Sequence, residues 1–419
     1  MATNDRNEET EGREESQDSL IQQSQKKSSN RRRPQPNKYS PRFSPRCFVT
    51  FNRAVEKLPK VEMEVSDTRQ DTQSHNCKNR CRPLGSEALP EGIVAKTSNL
   101  EMRPLWGPVA EKSNSKRSMN LLAIAVGIKQ KEIVKQIVSK FLENDFVVML
   151  FHYDGVVDKW SDFGWSERVV IHVSAINQTK WWFAKRFLHP DIVANYDYIF
   201  LWDEDLGVEN FHPRRYLSIV KAEGLEISQP ALDPDKSELH HQITARWRKS
   251  RVHRRFYKLK GGGRCDNNST DPPCTGWVEM MAPVFSRKAW RCAWYMIQND
   301  LIHAWGLDMQ LGYCAQGDRI KNVGVVDAEY IVHMGLPTLG FSDGNKLSHG
   351  SPEYSLQTKH LSDSEQLATS GLYKVDNRSA VRRQSYIEMK IFKNRWSRAV
   401  KEDKCFVDPY QQPAVHYRR

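Results

Sequence analysis

The residues best able to do chemistry stand in one run, Tyr196-Asp-Tyr-Ile-Phe-Leu-Trp202-Asp203-Glu204-Asp205. An apolar stretch with the composition of a buried strand leads straight into three carboxylates. Along extended backbone, residues i and i+2 share a face, so Asp203 and Asp205 are expected to converge while Glu204 points away. Converging carboxylates repel each other unless a cation joins them. Oxygen ligands of this kind suit Mg²⁺ or Mn²⁺, ions that in turn bridge to a diphosphate. Open α/β sheets bind ligands at the carboxyl ends of their strands, which is where this run falls. An acidic turn that caps the next helix would use the same residue types.

The elements that must position this run read clearly from residue 121 onward. Leu121 to Gly127 is a continuous apolar run with the length of a buried strand. Lys129 to Leu142 follows with Ile133, Val134, Ile137, Val138 and Phe141 at helical spacing. Further strands are predicted at Phe146–Phe151, Val169–Val173, Tyr196–Trp202, Glu226–Gln229 and Val323–Val332. Helices are predicted at Thr179–Val193, Arg214–Ala222 and Arg287–Asn299, with another opening near Gly306-Leu307-Asp308. Strands alternating with helices imply an α/β sandwich with a mostly parallel sheet covered on both faces. The divisions expected are residues 1–83, a lead-in at 84–120, a compact domain at 121–342, and a carboxyl-terminal part at 343–419. In that last part, 343–375 read as loop and 380–400 as a helix docked on the domain.

The chain has 419 residues and 63 Lys+Arg against 51 Asp+Glu, a net charge of +12. Hydrophobic residues make up only 39% although aromatics reach 10%, which implies a packed core diluted by polar segments. Residues 1–20 hold two arginines against seven acids, and residues 21–60 hold eleven basic residues and Glu56. Such a stretch has too little to bury to offset its ordering entropy, so 1–83 are expected to be disordered. The longest strongly apolar stretch, Leu121–Ile128, falls far short of the roughly 20 residues of a membrane span. No transmembrane helix or amino-terminal signal peptide is expected. Cys77, Cys81 and His75 supply at most three ligands, so no zinc site is assigned. Gly261-Gly262-Gly263 lacks the following Gly-Lys-Ser/Thr of a P-loop. Cys265 and Cys274 bracket a polar loop that a disulfide would close in an oxidising compartment, and sequons at Asn177, Asn267, Asn268 and Asn377 fit a secretory lumen.

Asp203-Glu204-Asp205 after an apolar strand resembles the D-x-D motif of GT-A-fold glycosyltransferases. Over roughly residues 84–342 the chain is also similar to a plant family named lysine-ketoglutarate reductase trans-splicing related, a domain of unknown function. The strings that carry this likeness are Leu121-Leu-Ala-Ile-Ala-Val-Gly127, Phe200-Leu-Trp-Asp-Glu-Asp-Leu206, His303-Ala-Trp-Gly-Leu-Asp308 and Tyr330-Ile-Val-His-Met-Gly335. The resemblance implies a GT-A-like (Rossmann-like) three-layer sandwich using a nucleotide-sugar donor, an unidentified glycan or protein acceptor, and Mn²⁺ or Mg²⁺. It places the donor and cofactor at Asp203, Glu204 and Asp205, with Asp203 near the ribose. The metal falls to Asp203, Asp205 and His333. Asp308 becomes the general base of an inverting displacement, at a helix start where an N-cap would equally stand. The family's usual Glu-Asp pair reads Leu307-Asp308 here. Gly276-Trp277 and Glu279, a secondary acid, would line the acceptor side. Members of the family have an amino-terminal membrane anchor and a Golgi-lumenal domain, from which residues 1–83 depart.

Two other readings stand beside a metal-dependent glycosyltransferase. Residues 239–264 hold nine Lys/Arg and no acid, and the part from Arg246 to Arg255 carries Trp247 within it and Phe256 and Tyr257 after it. With residues 21–60 that pattern could bind nucleic acid through phosphates and stacked bases. Beside a diphosphate site it could instead hold donor phosphates or an acidic glycan. The other alternative is a GT-A-like fold without turnover. Arg31-Arg32-Arg33 points to the cytoplasm or nucleus, the sequons and Cys265/Cys274 to the secretory lumen.

Overall fold

The computed structural model describes residues 82–94, 119–258, 265–336 and 377–410. The amino-terminal charge runs, the Cys77/Cys81/His75 group, Gly261–Gly263 and the stretch 343–375 lie outside the described residues. The strands are β1 (Met119–Val126), β2 (Phe146–His152), β3 (Val170–Ser174), β4 (Tyr196–Trp202), β5 (Leu206–Gly207), β6 (Ile227–Leu232), β7 (Val252–His253), β8 (Val284–Ser286) and β9 (Val323–His333). The main helices are α1 (Lys131–Leu142), α2 (Lys180–Phe187), α3 (Pro213–Ala222), α4 (Arg287–Met296) and α5 (Asn377–Glu402).

The strands form one sheet in the order β3-β2-β1-β4-β8-β6-β9-β5, with β7 also on β9. β1 pairs in parallel with both β2 and β4, and β6 with β9, while β8 runs antiparallel between β4 and β6. Most of the paired length is therefore parallel. Every residue of β1 after Met119 is buried, as a central strand covered on both faces requires. One face packs against α1 and α3 through Ile137, Phe141, Tyr216 and Val220. The other packs against α2, α4 and α5 through Phe183, Trp290, Trp294, Phe392 and Trp396. This is a three-layer α/β sandwich, and its carboxyl-terminal helix belongs to the same core as the sheet. No helix among the described residues is long and apolar enough to cross a membrane.

Local chemistry explains the element ends. Thr179 caps α2 by accepting the Trp182 N–H at 3.2 Å, and Ser286 caps α4 by accepting that of Ala289 at 3.1 Å. Pro213 sits at the first turn of α3, where its missing N–H costs nothing. α2 stops at Phe187 rather than running to Val193, because Pro190 biases the residue before it away from the helical region. The helix expected from Gly306 does not form. Ala304 and Gly306 have φ of 59° and 95°, so the chain turns there and only a short 3₁₀ helix, Leu311–Cys314, follows. Disulfides join Cys265 to Cys274 and Cys292 to Cys314; the second ties α4 to that 3₁₀ helix.

A register shift sets the direction in which β9 ends. Pro230 of β6 pairs with Val326, but Ala231 pairs with Tyr330, so Asp327, Ala328 and Glu329 bulge out. Both carboxylates of the bulge are buried and satisfied. Asp327 accepts the Trp247 N–H at 2.7 Å and meets His253 Nδ1 at 2.8 Å, and Glu329 accepts the His212 N–H at 2.7 Å and pairs with Arg215. The bulge is thus a built feature that re-aims the strand.

α2 and α4 are stitched by a buried amine. Lys185 Nζ donates to the Trp294 carbonyl at 2.8 Å and lies 3.6 Å from the Trp294 ring centroid. Burial, with the nearby Arg186 charge, pushes this amine down to about 7. Between about pH 7 and 10 the unfolded chain holds a proton there that the folded chain has released, so this residue makes stability rise with pH. Lys185→Met should remove up to about 1.4 kcal/mol of that rise per pH unit, measured by comparing denaturant unfolding of the two proteins at pH 7 and pH 9.

Candidate active site

After β1 the chain crosses to β2 on one side and only later returns to β4 on the other. The crevice between the carboxyl ends of β1 and β4 is therefore a topological switch point. Gly127 follows β1, and Asp203-Glu204-Asp205 follow β4. The three acids take three directions.

Glu204 turns back into the protein. Its Oε2 accepts the Gly127 N–H at 2.6 Å and its Oε1 accepts the Tyr153 hydroxyl, tying together the ends of β1, β2 and β4. It is buried, and burial pushes its carboxyl up to about 8 against the two hydrogen bonds, which lower it. Gly127 is required by the closeness of this knot: a Cβ there would lie 2.3 Å from the Tyr153 hydroxyl oxygen. Both oxygens of Glu204 have protein partners, so its place among the donor and cofactor residues is structural.

Asp203 faces the crevice, its side chain 40% exposed, and its Oδ1 pairs with Lys180 Nζ at 2.7 Å. Lys180 is itself buried on the first turn of α2, where Nζ also donates to the carbonyls of Met280 and Met281 at 2.7 and 3.2 Å. Asp205 meets the end of β9. The short strand β5 pairs antiparallel with β9, Leu206 opposite His333, and the Met334 N–H donates to the Asp205 carbonyl at 3.0 Å. Asp205 Oδ2 accepts the Leu336 N–H at 3.0 Å and stands 3.5 Å from His333 Nε2. His333 Nδ1 donates to the Glu238 carbonyl at 2.9 Å, which directs Nε2 toward Asp205. Burial alone would lower the imidazole, but the hydrogen bond and charge of Asp205 raise it to about 9.

Two further acids complete the cluster. Glu279, on the chain leading into β8, is buried, and its Oε2 has no partner among the described residues. Burial pushes it up to about 7, with His333 and Lys180 pulling down and Asp203 and Asp308 pushing up. Asp308 Oδ2 accepts the Trp277 indole N–H at 3.1 Å. Its carboxyl is raised by burial, opposed by the Met309 N–H and that indole. Asp308 lies in the turn after Gly306 rather than at an α-helix start.

Among the described residues no three His, Cys, Asp or Glu side chains converge closely enough to hold a metal ion. Asp203 is held by Lys180, while Asp205 and His333 approach each other. Asp205, with the His333 imidazole once it has given up its proton and with its other nitrogen anchored, makes a donor pair suited to Mn²⁺, an ion that keeps further positions for water and phosphate oxygens. Lys180 left no sequence signal, since a lysine on an amphipathic helix ordinarily reads as solvated.

Four arginines of the basic stretch after Leu239 are engaged by the fold. Arg246 donates to the Asp327 carbonyl and lies over Tyr330, Arg248 pairs with Asp235, Arg254 with Glu223, and Arg255 donates to the carbonyls of Asp266 and Ser269. Trp247 stacks on His253.

Fold and site together define a three-layer α/β protein with a carboxylate-lined crevice at the ends of its parallel strands. The chain belongs to the DUF707 family, proteins of unknown function, whose match runs over residues 80–402. No curated protein matches it. Among solved structures, the glycosyltransferase GlyE of Streptococcus pneumoniae TIGR4 is similar at 10% identity with a TM-score of 0.28, over 50% of this chain and 46% of GlyE. The apo form of GlyE is similar at 13% identity with a TM-score of 0.23, over 44% and 38%. This chain thus spans less than half of the length of GlyE.

The Glu204 knot gives a contrast that separates structure from chemistry. Glu204→Gln keeps an acceptor for Gly127 and a partner for Tyr153, so its melting temperature should stay near that of the wild type. Glu204→Ala strands a buried N–H and should cost about 2 kcal/mol in denaturant unfolding.

Proposed function

We propose that this protein is a glycosyltransferase that takes its sugar from a nucleotide-sugar donor. The observation that carries the reading is the convergence of Asp205 and His333 beside the Lys180-held Asp203, at the switch point where β1 and β4 part. Asp205 and His333 would hold the divalent cation, and Asp203, exposed to the crevice, would accept from a ribose hydroxyl. Such a cation, when bound, supplies charge neutralisation on the departing diphosphate. Lys180 fixes Asp203 in place, its charge opposing the burial that raises the Asp203 carboxyl, and adds positive charge where the phosphates would lie.

The acceptor hydroxyl must lose a proton as it attacks the anomeric carbon. Asp308 and Glu279 both border the crevice. Asp308 has one oxygen engaged by an indole, whereas Glu279 has an unpartnered oxygen and a carboxyl near 7, close to the ideal for a base working at neutral pH. The unengaged oxygen favours Glu279 as the base, with Asp308 orienting the acceptor. A base on the acceptor side implies inversion at the anomeric carbon. A lumenal site of action fits the disulfides Cys265–Cys274 and Cys292–Cys314. The alternatives are a fold that binds donor without turnover, and nucleic-acid binding, which the internal pairing of Arg246, Arg248, Arg254 and Arg255 disfavours.

A thermal-shift series with nucleotide sugars, each with Mn²⁺, Mg²⁺ or chelator, tests the donor site. A donor at about 100 times its dissociation constant should stabilise the protein by about 2.7 kcal/mol, only with a divalent cation, and not in Asp205→Ala. A shift that survives both chelator and that substitution would overturn the assignment. Once a donor is found, Glu279→Gln should lower kcat by about 100-fold or more, with donor binding intact. Asp308→Asn should act mainly on the acceptor KM.

A further inference from the structure

Beyond the acid cluster the structure holds a cavity of about 1050 Å³, walled by Gln242, Phe256, Thr270, Tyr410 and the loop closed by the Cys265–Cys274 disulfide. It shares a wall with the crevice. The His240 and His241 side chains that line it also pack against the site, His240 on the His333 ring at 5.6 Å and His241 on the Trp277 ring at 4.6 Å. Trp277 in turn donates to Asp308.

The charges in this wall are matched within it. Arg319 is buried, pairs with Asp271 at 2.5 Å, donates to the Thr270 carbonyl and lies 3.9 Å from the Tyr410 ring. Asp408 accepts the Tyr313 hydroxyl and the Tyr410 N–H, both at 2.9 Å, and Lys258 has a partner within the chain. What remains open is uncharged. The side-chain amides of Gln242 and Asn268 and the Thr270 hydroxyl make no hydrogen bond among the described residues, and Phe256 offers an aromatic face beside them. Arg319, the buried cation of this wall, is already engaged, so a diphosphate or an acidic sugar would not find its charge free. Amides and hydroxyls each pair a donor with an acceptor, as sugar hydroxyls demand, and aromatic rings cover the apolar faces of pyranoses.

We propose that this cavity is the acceptor subsite and that it takes a neutral, hydroxyl-rich glycan, delivering its end past His240 and His241 to the acids. The inference rests on the transferase reading for its direction, while the binding itself stands apart from donor and metal. The test uses the full chain, made in an oxidising bacterial compartment that adds no N-glycan at Asn268. It is applied to an array of neutral and acidic oligosaccharides, with and without Mn²⁺ and nucleoside diphosphates. Neutral oligosaccharides should be retained, and binding should weaken at least tenfold in Gln242→Ala/Asn268→Ala at an unchanged melting temperature. Retention of acidic glycans alone, of none, or equal binding by the double variant would overturn it. A donor-dependent melting shift without glycan binding would sink this inference and leave the transferase reading standing. Glycan binding with no donor shift would do the reverse.

Discussion

The site depends on a ladder only two residues long. Pairing of β5 with the end of β9 sets His333 opposite Leu206 and so brings an imidazole to Asp205, residues separated by most of the compact domain. Two such rungs contribute only about 1 kcal/mol each, too little to position anything alone. The direction of β9 is imposed upstream, by the bulge at Asp327–Glu329 and the buried hydrogen bonds that hold it to Trp247, His253, His212 and Arg215. Placement of the basic stretch is part of the same device, since Arg246 and Trp247 fasten the bulge from outside.

Three consecutive carboxylates carry unequal burdens. Asp203 is balanced by a buried lysine, Asp205 by a histidine and a backbone N–H, and Glu204 by a backbone N–H and a phenol. Burying three acids side by side would be prohibitive if all were ionised and alone. The short link between β4 and β5 sends them in three directions, and each finds a different kind of partner. The middle residue ties together the ends of β1, β2 and β4, while Asp203 keeps a face open to the crevice.

The sequence made the fold legible because the strands are buried on both faces and read as unbroken apolar runs, and because helical spacing in 129–142 and 380–400 is strong. It also placed Asp203–Asp205 at the carboxyl end of such a run, where the structure has them after β4. The errors lie where backbone strain or distant contacts decide. The left-handed Ala304 and Gly306 break the helix expected at Asp308, and Pro190 shortens α2. The second disulfide, Cys292–Cys314, has no local signature. Lys180 takes its place from burial against Asp203, about 23 positions away, which no spacing in the chain encodes. Of the cations in the basic stretch, Arg246, Arg248, Arg254 and Arg255 are engaged within the fold, because charge summed along a sequence says nothing about what folds against it.

The turn carrying Asp308 leans on the last helix of the chain. Glu388 of α5 accepts both the His303 N–H at 2.8 Å and, at 2.9 Å, a hydrogen bond with its imidazole, and a Cβ at Gly306 would press on Met389 and Phe392. Only when α5 leaves the ribosome does the segment from His303 to Asp308 gain its support, so a prematurely terminated chain would lack the backing that holds Asp308 in place.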